Sequence, residues 1–177
     1  MVTLKGIITI LRPTQWLKNL ILLFPPFLGG ELLMPGLGAK CGAPILSFCL
    51  ASSYTYVLND ILDREHDSTH PKKQKRPLPS GSVSIFTAII LCVLMLAGCL
   101  LLASRVSTVF LSILLAYLLV SALYSLFLKN LPIVDLFCVT AGFIFRLQAG
   151  GEAFGVSISG WLFLSVFLLS IFLSTGK

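Results

Sequence analysis

The sequence predicts an all-α fold, a polytopic bundle of about six membrane-spanning helices. Three observations carry that expectation. Of 177 residues, 56% are hydrophobic and only 11% are charged, whereas a soluble domain has about 25% charged residues. Apolar runs recur at about the 20 residues that a spanning helix needs. The charges collect in the intervals between those runs, and they favour alternate intervals.

The elements follow in order. Residues 2–11 read as a short interfacial helix that ends at Arg12-Pro13, since proline disfavours a helical residue before it. Residues 16–34 form the first span, interrupted by Pro25-Pro26, with Trp16 as an interface anchor. The remaining spans cover 43–62, 84–103, 108–128, 133–153 and 159–173. The connections at 105–108 and 129–132 are tight, which predicts antiparallel helical hairpins. The whole chain, 1–177, reads as one domain, with an acidic and basic loop at 63–83.

Charge sets the orientation. With the N-terminus inside, one side holds Lys5, Arg12, Lys18, Arg64, Lys72, Lys73, Lys75, Arg76, Lys129 and Lys177. The other side holds only Lys40 and Arg105. The positive-inside rule puts the N-terminus and the 63–83 loop on the cytoplasmic face of the inner membrane. The net charge of +6 is thus a matter of topology, and no nucleic-acid-binding motif accompanies it. Lys5, Arg12 and Lys18 interrupt the first residues too often for a cleavable signal peptide. The five cysteines (41, 49, 92, 99 and 138) are scattered without a CxxC pair and read as small core residues.

The segment Asn59-Asp60-Ile61-Leu62-Asp63-Arg64-Glu65-His66-Asp67 carries the strongest chemical signal. Asp60, Asp63 and Asp67 fall at i, i+3 and i+7, one face of a continuous helix. Three carboxylates on one face repel unless a cation lies between them. Mg²⁺ suits them, because it takes a few carboxylates and keeps positions for phosphate oxygens. The plain alternative is a solvated helix end. Glu65 lies off that face and reads as a solvated partner for Lys72 or Lys73. Downstream, Lys72-Lys73-Gln74-Lys75-Arg76 either enforces topology or clamps a phosphate, with Arg76 the favoured clamp beside the stiffening Pro77 and Pro79. His66 and His70 at i, i+4 could hold zinc, but their carboxylate surroundings argue against it.

Arg146 lies eleven residues beyond Asp135 on the same predicted helix, roughly 16 Å into the membrane. An intramembrane arginine is a functional candidate; the alternative is a structural pair with Glu152 or Glu31. Tyr124 and Lys129 end the fourth span on the cytoplasmic side, and Asp135 begins the fifth there. Lys18 lies in Arg12-Pro13-Thr14-Gln15-Trp16-Leu17-Lys18-Asn19, at the entrance to the first span.

Together these segments resemble the UbiA-type superfamily of intramembrane prenyltransferases over nearly the whole chain. Asn59-Asp60-x-x-Asp63-x-x-x-Asp67 is similar to the first aspartate-rich motif of that superfamily. The segment from Arg76 to Gly81, and Tyr124-Ser125-x-x-Leu128-Lys129 with Asp135, are similar to two further family segments. The 12–19 segment and Arg146-x-x-Ala149-Gly150-Gly151 resemble the decaprenyl-phosphate phosphoribosyltransferase branch.

The resemblance implies a nine-helix fold with a second acidic region after the sixth helix, so that this chain would be a truncated form with part of the metal site. It implies Mg²⁺-dependent transfer of 5-phosphoribosyl from phosphoribosyl pyrophosphate to a polyprenyl phosphate. Asp60, Asp63 and Asp67 would hold the metal. Lys73, Arg76 and Lys129 would neutralise the leaving diphosphate, and Lys18, Asn59, Tyr124, Asp135 and Arg146 would complete the substrate site. The expected partners are a polyprenyl lipid phosphate or diphosphate, a phosphorylated small co-substrate and the membrane, without nucleic acid. Two other readings stand beside it. One is an aromatic prenyltransferase such as a 4-hydroxybenzoate polyprenyltransferase; the other is an inactive remnant or a transporter-like protein.

Overall fold

A computed structural model describes residues 3–31, 37–129 and 131–176, and among them every regular element is helical. The chain opens with α1 (Leu4–Leu11), whose first turn is capped by Thr3 Oγ1 accepting from the Gly6 N–H. Arg12 ends it in the left-handed conformation with φ 49°, which costs a non-glycine residue on the order of 1 kcal/mol. A 3₁₀ helix at Pro13–Leu23 leads into the short α2 (Phe24–Leu28). Then come α3 (Leu37–Leu62), α4 (Arg64–Thr69), α5 (Ile85–Ser104) and α6 (Thr108–Leu123). A π-helical turn at Tyr124–Leu128 separates α6 from α7 (Pro132–Phe154), and α8 (Gly160–Thr175) closes the bundle.

Among the described residues, four stretches are long and apolar enough to cross a membrane: Lys40–Leu62, Ile85–Ser104, Thr108–Leu128 and Ile133–Phe154. Their starts obey local chemistry. Ser84 and Ser107 cap α5 and α6, each hydroxyl accepting from the N–H three residues on (3.1 and 2.9 Å). Ser159 caps the shorter apolar α8 in the same way, and Gly155 ends α7 at φ 69°.

The first span departs from a single α-helix. Pro25 and Pro26 have no N–H to give the carbonyls four residues earlier, and Pro13–Leu23 winds instead as 3₁₀, far longer than the usual 3–4 residues of that helix. The stretching has a geometric result. Eleven residues at about 2.0 Å rise cover roughly 22 Å. The five of α2 add roughly 8 Å, so the pair approaches the ~30 Å of a hydrocarbon core. Residues 32–34 of the expected span lie outside the described residues.

Two apolar clusters hold the bundle. One joins Leu22, Phe48, Ala51, Cys99, Phe110, Leu114, Tyr117 and Ala149, drawn from the 3₁₀ helix, α3, α5, α6 and α7. The other gathers Ile10, Val57, Leu78, Val83 and Ala88 around the 77–83 loop. Outward faces are apolar too, with Phe86, Val93 and Leu101 on α5 and Trp161 and Phe172 on α8 exposed, as lipid rather than water requires. The cysteines are unlinked thiols, and three of them are buried. Gly150 sets the closest approach: a Cβ there would lie 2.2 Å from the Leu22 carbonyl oxygen. The α7 backbone can therefore meet the 3₁₀ helix only through glycine.

Candidate active site

A cavity of about 450 Å³ opens between the 3₁₀ helix, α3, α6 and α7. Six cations line it: Arg12, Lys18, Lys73, Arg76, Lys129 and Arg146. Asp63 is the one carboxylate among its described lining residues, accompanied by Asn59, Tyr56, Tyr117, Tyr124 and Ser125. Such a wall suits a ligand with several negative charges.

At the mouth the ion pairs are specific. Asp63 pairs with Lys129 and accepts at Oδ2 from Asn59 Nδ2 (3.1 Å). Asp60, 2% exposed, accepts at Oδ1 from Arg12 Nη2 (2.6 Å) and Arg76 Nη1 (3.3 Å). Asp67, fully buried, accepts at Oδ2 from the same Arg76 Nη1 (2.6 Å). Its Oδ1 accepts no hydrogen bond and has Lys73 Nζ at 3.5 Å. Lys73 thus pairs with Asp67 and not with the exposed Glu65.

Two of the three aspartates converge, and Asp63 stands apart from them. α3 ends at Leu62, and Asp63 turns the chain with φ −89° and ψ 1° before α4 begins. Asp60 and Asp67 still meet on one Arg76 Nη1, whereas Asp63 faces the main cavity; Asp60 borders a smaller neighbouring cavity, and Asp67 lines neither. Among the described residues no three His, Cys, Asp or Glu side chains group as a metal site. The donor set nonetheless suits a hard cation. Asn59 and Asp63 offer oxygens at the cavity wall, and Asp67 Oδ1 is a buried carboxylate oxygen without a hydrogen bond. His66 and His70 are both exposed.

The π-helical turn explains how Lys129 reaches Asp63. Its N–H bonds back five residues to the Tyr124 carbonyl (3.1 Å), so one extra residue is taken up just before the lysine. Such turns recur at functional sites. Tyr124 lines the cavity beside the Asp135 carboxylate of α7, whose buried Oδ1 accepts no hydrogen bond. Asp135 itself does not line the cavity.

At depth, Arg146 is 7% exposed and finds neutral partners only. Nε donates to Asn19 Oδ1 (2.7 Å), Nη1 to the Gly142 carbonyl (2.7 Å), and Nη2 to Ser52 Oγ (3.0 Å) and Tyr117 Oη (3.1 Å). Its guanidinium carbon lies 4.7 Å from the Tyr117 ring centroid, a cation–π distance. The acidic partner considered from sequence does not appear: Glu152 accepts instead from Ser107 (2.8 Å). Among the described residues no carboxylate comes within 4.0 Å of Arg146 or Lys18. Both cations line the cavity, and their charge is left uncompensated there.

Sequence reasoning missed several of these groups. Asn19, Ser52 and Tyr117 complete the Arg146 network, and the run Ser52-Ser53-Tyr54-Thr55-Tyr56 inside an apolar helix was the available signal. Arg12 was noted in a segment but not placed at the site. Trp16, expected at the interface, is half-buried and donates to Ser53 Oγ (2.9 Å), the acceptor its indole N–H needs.

Comparison with known proteins adds an independent finding. The model of the UbiA prenyltransferase family matches residues 23–176. A decaprenyl-phosphate phosphoribosyltransferase of Mycolicibacterium smegmatis is 33% identical over 98% of this chain and 56% of its own length. One from Mycobacterium tuberculosis is 32% identical over 97% of this chain and 58% of its own length. The solved structure of a UbiA homolog from Archaeoglobus fulgidus bound to DMAPP and Mg²⁺ superimposes with a TM-score of 0.79 at 23% identity, covering 94% of this chain and 60% of that one. The chain thus spans a little over half the length of the curated relatives it matches.

Proposed function

Because the chain belongs to the UbiA prenyltransferase family, we propose that the protein transfers the 5-phosphoribosyl group of phosphoribosyl pyrophosphate to a polyprenyl phosphate, with Mg²⁺ as cofactor, at the cytoplasmic face of the inner membrane. The observation that carries this reading is the split of charge in one cavity. Cations with carboxylate partners crowd its mouth, and Arg146 and Lys18 lie deeper without one. A donor with a diphosphate at one end and a single phosphate at the other matches that split. Ser52, which Arg146 contacts, lies two helical turns below Asn59 on α3, about 10 Å along the axis.

Asn59 and Asp63 would hold Mg²⁺, which when bound offsets charge on the donor diphosphate. Lys73, Arg76 and Lys129 stabilise the diphosphate as it leaves with the electrons of the bond to the anomeric carbon. An oxygen of the lipid phosphate forms the new bond to that carbon. A phosphate monoester has its second pKa near 6, so its dianion is present at neutral pH and the cavity need supply no base. The chain's remaining work is to hold the two reactants in line.

The aromatic prenyltransferase reading rests on the same deep cation, which would then take the carboxylate of an aromatic acid. The two are separated by offering the protein, expressed from its gene in membranes, both substrate pairs. Release of diphosphate from phosphoribosyl pyrophosphate with a polyprenyl phosphate supports the proposal. Transfer from a prenyl diphosphate to 4-hydroxybenzoate, with no use of the ribosyl donor, replaces it with the second reading.

A further inference from the structure

The aspartates of the 59–67 segment divide into two kinds by the cavity they face. Asn59 and Asp63 line the main cavity; Asp60 lines only the smaller one beside it. Arg12 and Arg76 line both cavities and so form the wall between them. Asp60 therefore meets the main cavity only through its two arginines. A single oxygen, Oδ1, accepts from Arg12 at 2.6 Å and from Arg76 at 3.3 Å, and Asp67 Oδ2 holds the same Arg76 Nη1 at 2.6 Å. The guanidinium of Arg12 is also fixed from another direction, with its carbon 4.9 Å from the Tyr56 ring centroid. The left-handed backbone of Arg12, unusual for a residue with a side chain, turns the chain at the point where this contact forms.

We propose that Asp60 is a positioning residue and not a metal ligand: it holds Arg12 and Arg76 as a paired cationic wall that receives the leaving diphosphate, while the metal is held from the Asn59 and Asp63 side. This rests on the metal–diphosphate reading given above. A charge-assisted pair keeps a guanidinium in one orientation; Asp60 is the carboxylate common to both arginines and so sets the spacing between Arg12 and the Arg76 that Asp67 also holds. Arg12 thereby joins the diphosphate-binding residues, although it belongs to the segment before the first span.

The test uses the protein expressed from its gene and purified in detergent, with Mn²⁺ as a paramagnetic metal and inorganic diphosphate as the ligand. Asp60→Asn should leave Mn²⁺ affinity, read by electron paramagnetic resonance, within about twofold of wild type, and weaken diphosphate binding by calorimetry on the order of tenfold, the worth of about one charged hydrogen bond. Arg12→Gln should weaken diphosphate similarly. The double variant should be no weaker than the weaker single one, because Asp60 acts through Arg12 and Arg76. A loss of melting temperature without a change in diphosphate affinity would overturn the proposal and leave Asp60 a structural residue. A tenfold loss of Mn²⁺ affinity in Asp60→Asn would overturn it by making Asp60 a ligand. Asp63→Asn separates the underlying reading: unchanged Mn²⁺ affinity there removes the metal from Asp63, whereas the Asp60–Arg12 coupling in diphosphate binding is decided independently.

Discussion

Arg146 and Asn19 meet in the interior, Nε to Oδ1 at 2.7 Å, from segments 127 residues apart in the chain. Asn19 is fully buried and also accepts from Ser52 Oγ (3.3 Å) while donating to Cys49 Sγ (3.3 Å). It is the hub that lets an arginine lie among neutral groups. Asn19→Ala leaves the Nε–H without its acceptor, and such a loss costs about 1–3 kcal/mol. Thermal unfolding in detergent should show Asn19→Ala clearly below wild type, with Ser68→Ala, at an exposed site, unchanged. Equal melting temperatures would mean that the network is not formed in the folded protein.

Gly150 gives a packing prediction with a steric basis. A methyl at this position would stand 2.2 Å from the Leu22 oxygen and 2.8 Å from its carbonyl carbon, and backbone cannot move aside as a flexible side chain can. Gly150→Ala should cost at least the ~1–3 kcal/mol of an overpacked core and lower the yield of folded protein. Gly42→Ala, where nothing lies within 4 Å, should be tolerated. A Gly150→Ala protein as stable as wild type would break the account of how α7 meets the 3₁₀ helix.

Orientation is tested by labelling single cysteines, introduced in a background without the native ones, at position 74 in the basic loop and position 40 near the start of α3. Reagent confined to the outer face should label position 40 and spare position 74. Labelling of position 74 from outside would reverse the topology and put the mouth of the cavity on the wrong side for a cytoplasmic phosphorylated substrate.

Much of this architecture is legible in the chain because its signals are local. Ser84, Ser107 and Ser159 stand at the helix starts as caps, and the expected run of 84–103 differs from α5 (Ile85–Ser104) by one residue at each end. The first helix ends at Arg12, as its following proline implies. What could not be read depends on turns. The i, i+3, i+7 spacing assigns three aspartates to one face; Asp60 and Asp67 do share Arg76, but Asp63, at the turn between α3 and α4, faces the other cavity. The 3₁₀ winding of Pro13–Leu23 depends on prolines at its far end and on a backbone contact from α7. The partners of Arg146 lie on three other segments, and no pattern within its own helix points to Asn19, Ser52 or Tyr117.

Lys129→Ala removes the partner of Asp63 and one cation from the mouth. A hydrogen bond to a charged group is worth about 1.5–3 kcal/mol, so kcat/KM should fall on the order of tenfold to a hundredfold. Diphosphate release from the ribosyl donor measures it. Turnover within twofold of wild type would leave the π-helical turn without a role in the chemistry.

The central claim is that one cavity reads a diphosphate at its mouth and a second phosphate at Arg146. Calorimetric binding of phosphoribosyl pyrophosphate and of inorganic diphosphate to the protein and to Arg146→Ala, with Mg²⁺ present, tests it most directly. The wild type should bind the ribosyl donor at least tenfold more tightly than diphosphate, and Arg146→Ala should erase that difference while leaving diphosphate affinity unchanged. Equal binding of the two ligands by the wild type, or a parallel loss of both in Arg146→Ala, would contradict the account.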